Sequence, residues 1–438
     1  MAKRDRAQGP SNQWPATVSF PRMQREELPN GLPCYTLLGG QVPAMQLMLV
    51  FPNGRYSGEG RMVSQAVFGL LDRATAHHDK QALPLALDSM GSRCKPFVTS
   101  CFSGEIILCS ADRLLPSAQL LYEMATECAF SQPLLDVWAD LQLKSIGMRQ
   151  QQPRYLASLA VRKALLPSGH PYIDETLPSQ VEAVTLDAVQ DFYRRRVGSW
   201  NARLFIMGQA PAPVLERVKM LFGATPWGLR PDAEEQVPDV TPVAGGLVQV
   251  LPSPQDEQAA LCLGRTLPLL PAEATIELDI ALTLLGGFLG SRLMQNLRER
   301  RGLTYGVSAR LSPMRRCNAV YIEADLSNNN AALAVQEIRV ELQRMREQPA
   351  GAEELARMKA YALGRLLAAH DGVMRAGSYQ VRRELFDFAP TYDAASYISV
   401  LGAITAERIQ AVSAQWLDPA AFSVCVAGNV EAIGGISW

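Results

Sequence analysis

The chain has 438 residues, 48% of them hydrophobic and 19% charged, a globular composition with room for roughly two to four domains. Its 42 Lys and Arg nearly cancel its 43 Asp and Glu, which argues against a nucleic-acid or polybasic membrane role. No apolar leader or bilayer-length apolar stretch is seen, and the eight cysteines form no C-x-x-C pair; reduced thiols in a cytoplasm fit best, or a periplasm had a signal been removed.

Residues 1–24 are polar, carry Gly9-Pro10 and Trp14-Pro15, and read as an extended arm. Leu28–Pro33 holds a turn centred on Asn30-Gly31. Met45–Phe51 (MQLMLVF) is an almost unbroken apolar run and predicts a buried strand. A helix is expected over Met62–Arg73, where Val63, Val67, Leu70 and Leu71 recur at helical spacing. Leu83–Met90 predicts a second, with Pro84 in its first turn and Gly91 past its end. Phe97–Thr99 and Gly104–Ser110 suggest a β-hairpin. Helices are expected over Arg113–Ala125, Leu134–Gln151 and 154–166. The run Arg194-Arg195-Arg196 reads as a solvated helix face.

The chain then echoes itself. Thr185 opens a helix and Leu204–Gly208 follows as a strand; 220 residues later Thr405 opens a helix and Ser423–Gly428 follows. Both threonines suit an N-cap. Leu121–Trp138 and Leu342–Met358 form a second echo, each with a proline (Pro133, Pro349) between helices. Two echoes at nearly one offset indicate duplication. The expected organisation is an arm over 1–24, a first domain over 25–225, a linker over 226–245 and a second domain over 246–438. Short, hairpin-like joins predict an α+β fold of two homologous domains, each a mixed, mainly antiparallel sheet flanked by helices.

The second half carries the most specific pattern: Gly286-Gly287-Phe288-Leu289-Gly290-Ser291-Arg292-Leu293, then Leu297-Arg298-Glu299-Arg300-Arg301-Gly302-Leu303-Thr304-Tyr305. With Leu87–Ser92 in the first half, it resembles the pitrilysin/insulinase-type zinc peptidases, and the resemblance covers nearly the whole chain from residue 25. That family includes mitochondrial processing peptidase, the core proteins of respiratory complex III and bacterial two-subunit peptidases. In its active members an H-x-x-E-H motif holds zinc with two His and uses the Glu as general base. Counting back from Gly91, that slot falls on residues 65–69, where this chain has Gln65, Phe68 and Gly69. The family's third zinc ligand, a Glu on a later helix, falls on Ser145.

The resemblance therefore implies a peptidase body without a metal centre of its own. It implies that Arg298 and Tyr305 bind substrate and stabilise the transition state, as hydrogen-bond donors to a carbonyl oxygen becoming an oxyanion. It further implies a homologous partner carrying H-x-x-E-H and the zinc, an extended or unfolded peptide substrate, and no proteolysis by this chain alone. The alternative is a non-proteolytic structural or peptide-binding protein like the complex III core subunits. The four histidines are too dispersed to make a zinc site: His77 and His78 read as solvent-facing, His170 as structural, His370 as lacking co-ligands. No Ser-His-Asp or Cys-His context exists for another peptidase chemistry. Gly286, Gly287 and Gly290 lack a G-K-[ST] and read as close packing or a flexible loop.

Overall fold

The computed structural model describes residues 18–52, 54, 61–230, 246–253, 257–314, 317–385 and 393–438. Most of the expected arm and most of the expected linker thus lie outside the described residues. Before residue 231 the elements run β1 (Gln24–Glu27), β2 (Pro33–Leu38), β3 (Ala44–Phe51), α1 (Arg61–Leu70), α2 (Ala82–Ser89), β4 (Arg93–Val98), β5 (Ser103–Ser110), α3 (Leu114–Thr126), α4 (Gln132–Gln150), α5 (Pro153–Leu165), α6 (Pro178–Glu182), α7 (Leu186–Arg196), β6 (Arg203–Gly208) and α8 (Ala212–Gly223). After 245 they run β7 (Val248–Pro252), β8 (Gln258–Leu267), α9 (Ala272–Gly286), a π-helical turn (Met294–Arg300), β9 (Thr304–Pro313), β10 (Asn318–Ser327), α10 (Ala331–Glu347), α11 (Ala352–Ala369), α12 (Val373–Leu385), α13 (Ala394–Ala403), α14 (Ala406–Trp416), β11 (Ser423–Gly428) and α15 (Val430–Ile433).

The strands form two sheets, ordered β1-β2-β6-β3-β5-β4 and β7-β11-β8-β10-β9. Apart from β1 the two orders match strand for strand. In each sheet one parallel pair, β2 with β6 and β7 with β11, stands among antiparallel neighbours. The expected mixed, mainly antiparallel sheets are thus observed. The echo extends to the caps: Thr185 Oγ1 accepts from the Ala188 N–H and Thr405 Oγ1 from the Arg408 N–H, both at 3.2 Å.

Sheet burial explains the unbroken apolar runs. In β3, Met45, Leu47, Leu49 and Phe51 face one core while Met48 and Val50 face another. In β11, Val424 and Val426 face one core while Cys425 and Ala427 face another. A strand covered on both faces loses the apolar–polar alternation of a half-exposed one. The helices of each half cover one face of its own sheet. The second face is covered by an exchange. Helix α5 of the first half lies across β8 and β11, placing Ala157, Val161 and Leu165 on Cys262, Tyr321 and Cys425. Helix α12 of the second half lies on β2 and β6, placing Ala376, Val381 and Leu385 on Tyr35, Phe205 and Met207.

Two local expectations change. Strand β4 begins at Arg93, earlier than the hairpin at Phe97 predicts, because it is an edge strand where Pro96 removes no needed donor. Helix α1 stops at Leu70, short of Arg73. Strands β1 and β2 flank the Asn30-Gly31 turn and are read from sequence as a turn alone.

Candidate functional site

Helix α1 carries the degenerate slot. Its apolar stripe faces the first core, and Phe68 lies inside that core at 0% exposure, its ring 5.5 Å from that of Phe51. Gly69 faces α4. A Cβ there would lie 2.9 Å from Trp138 Nε1, so the buried indole takes the space a larger residue would use. Gln65 and Ser145 are both half-buried, on α1 and on the α4 helix packed against it. A phenyl ring, a glycine and an indole do not fit a divalent cation. Among the described residues no three His, Cys, Asp or Glu form a group able to hold a metal ion. His77 is exposed as expected and pairs with Glu127 at 2.8 Å; His78, also expected to face solvent, is half-buried against Glu123 at 2.8 Å. His370 sits between Phe20 and Tyr379, at centroid distances of 4.4 and 4.3 Å.

Beneath α1 lies a carboxyl that the sequence pattern does not reveal. Glu105 of β5 is 2% exposed, receives the Cys94 Sγ–H at 3.4 Å on Oε2, and has no hydrogen-bond partner on Oε1. Burial pushes its carboxyl well above the usual range, and the nearby Asp72 adds to this. Burial raises Asp72 too, against the Arg73 guanidinium 3.0 Å away. Counting back from the serines that end β5 and β10 (Ser110, Ser327), the matching place in the second half holds the core residue Ile322. Glu105 thus puts an acid where the sister sheet puts a hydrocarbon. Its folded-state proton affinity exceeds that of the unfolded chain, so its effect on stability worsens as pH rises above the ordinary carboxyl range. Glu105→Met will raise the melting temperature, and the gain will grow between about pH 5 and about pH 8. Melting curves of both proteins across that range check this; a constant gap would contradict it.

The second-half motif divides into built-in and outward-facing parts. Gly286 ends α9 with its Cα against β9, and an added Cβ would lie 2.7 Å from Ala309 N. Close packing, one of the two readings of these glycines, holds there. Arg292 is buried, grips Glu354 with two bonds of 2.8 and 3.1 Å, and also donates to the carbonyls of Arg344, Gln348 and Pro349. It fixes the corner between α10 and α11. Arg298 follows in the π-helical turn, exposed; among the described residues its charge partner is its neighbour Glu299, 3.6 Å away. The Gly302 N–H donates to the Arg298 carbonyl at 3.1 Å, and Gly302 has φ +62°, a left-handed conformation natural to glycine.

Tyr305 is 95% exposed although it lies in a strand. The β9–β10 register explains this. Asp325 pairs with Gly306 and Leu326 with Thr304, so Tyr305 is the extra residue of a β-bulge. Thr304 holds the bulge: its Oγ1 accepts from the Gly306 N–H at 3.0 Å and donates to the Asp325 carbonyl at 2.5 Å. Bulges re-aim a side chain, and π-turns concentrate at functional positions.

The fold is two matching α+β halves, and on α1 of the first half Phe68 and the Trp138 indole against Gly69 leave no room for a cation. Residues 183–361 match the family model for the peptidase M16 inactive domain, a span that contains Arg298 and Tyr305 and excludes residues 65–69 and Ser145. An uncharacterized zinc protease of Streptomyces coelicolor is 25% identical over 262 residues, and the alignment covers 57% of this chain and only 55% of that protein. The crystal structure of a peptidase M16 inactive domain from Pseudomonas fluorescens superposes with a TM-score of 0.81 at 18% identity, covering 93% of this chain and 98% of that one. A protease from Helicobacter pylori gives a TM-score of 0.81 at 15% identity, covering 94% and 100%. Residues 183–361 thus match the peptidase M16 inactive domain, and the chain as a whole has the fold of M16 peptidase-like structures.

Proposed function

We propose that this chain is the non-catalytic subunit of a two-chain zinc peptidase. A homologous partner supplies H-x-x-E-H and the zinc, and this chain closes the peptide chamber. Arg298 and Tyr305 bind the extended peptide and donate hydrogen bonds to its scissile carbonyl as charge develops there. One observation carries the reading. Two uncommon backbone irregularities stand side by side, and each presents one member of this pair to solvent. The buried or half-buried carboxylates of this region, Glu354 and Glu337, are paired by Arg292 and Arg301 and not by Arg298. Eight free cysteines suit a reducing, cytoplasmic compartment. No helix among the described residues is long and apolar enough to cross a membrane.

The test combines the chain with an H-x-x-E-H homologue and follows cleavage of an unstructured fluorogenic peptide. Each chain alone is inactive and the mixture is active. Arg298→Ala lowers turnover about 10²- to 10³-fold, the range for loss of one oxyanion donor. Its unfolding free energy stays within about 0.5 kcal/mol of wild type, as for other surface changes. Full activity of this chain alone would end the proposal. Unchanged turnover for both Arg298→Ala and Tyr305→Phe would assign the chain to a structural, peptide-holding role instead.

A further inference from the structure

We infer that Asn296 is a positioning residue for Arg298 and Tyr305, an inference that rests on the role just proposed for that pair. Asn296 lies inside the π-helical turn at 6% exposure. Its Nδ2 donates to Glu337 Oε2 and to Glu341 Oε1, both at 2.9 Å. Its Oδ1 accepts from Arg301 Nε at 3.0 Å, and Arg301 reaches Glu337 at 2.8 Å. Both amide protons and the amide oxygen are therefore used. A neutral group with two donors and an acceptor is what two carboxylates and a guanidinium require at one point. Glu341 is 1% exposed, with its second oxygen unpartnered, so it depends on Asn296 and on Arg344 at 2.8 Å.

This anchor ties the turn carrying Arg298 to α10. A second link joins the turn to the strand carrying Tyr305: the Val307 N–H donates to Met294 Sδ at 3.4 Å. Helix α10, turn and bulge thus form one connected platform, and Asn296 is its buried node. An aspartate there would set a third carboxylate against Glu337 and Glu341 without the two donors.

Hydrogen–deuterium exchange on the full chain tests the anchor. Asn296→Asp should speed exchange across residues 294–307 roughly tenfold or more while distant strands stay protected. The double variant Asn296→Asp with Glu341→Gln exchanges acid for amide and should restore protection. Arg298→Ala should leave exchange unchanged. In the two-chain mixture, with the same fluorogenic peptide, Asn296→Asp should lower kcat with little change in KM, and should add no further loss on top of Arg298→Ala. Unchanged exchange at 294–307, faster exchange spread over the whole chain, or fully additive losses would overturn the inference. Silent Arg298→Ala and Tyr305→Phe variants, with the local exchange effect intact, would overturn the role proposed for the pair and leave the anchor standing.

Discussion

Writing His, Glu and His back into positions 65, 68 and 69 will unfold the first half of the chain and will not create a zinc centre. Phe68 is fully buried against Phe51, so removing its ring costs about 3–5 kcal/mol before any charge is considered. Glu at 68 then places a carboxylate in a hydrocarbon core with no counter-charge, which adds several kcal/mol. His at 69 must evict the Trp138 indole from contact with α1. The sum is comparable to the whole net stability of a domain, about 5–15 kcal/mol. Gln65→His alone, at a half-buried position, will be tolerated. Circular dichroism melting and metal analysis of the purified proteins decide the matter. A folded triple variant holding one zinc per chain would refute this account of the slot.

Val161→Asp will be nearly as damaging, and its damage will reach both sheets. Val161 is 0% exposed on α5, where it meets Gly264 of β8 so closely that a Cβ at 264 would lie 2.5 Å from Val161 Cγ1. An aspartate there loses the packed methyls and buries an unpaired charge, about 4 kcal/mol or more. Since α5 belongs to the first half and β8 to the second, calorimetry should show one cooperative transition at a lower temperature. Two separated transitions would contradict the exchange as the link between the halves. Arg154→Ala, about two turns away on the same helix, breaks an exposed ion pair with Asp325 and should shift stability by less than about 1 kcal/mol.

Much of this architecture is legible in residue order. The apolar run at Met45–Phe51 is a strand buried on both faces, and the threonines at 185 and 405 cap matching helices. What escapes is set by partners far along the chain. Trp138 fills the space over Gly69 from 69 residues away, and nothing in the α1 sequence reports it. The bulge at Tyr305 depends on the register against Asp325 and Leu326. The π-turn leaves no periodicity over so short a run. Glu105 sits in the apolar strand GEIILC, and its burial follows from α1 lying above it. The crossing of α5 and α12 is invisible to local pattern, because an amphipathic helix does not say whose sheet it will cover.

That crossing carries a historical consequence. A solitary ancestor of either half would have stood with one side of its sheet bare to water. Two copies trading a helix would have shielded each other, as in a swapped homodimer. Joining two such copies tail to head would turn an encounter between molecules into a tether, at an effective concentration of about millimolar. In a covalently joined pair a mutation acts in one copy and not in both, which lets the two halves differ as Glu105 and Ile322 do.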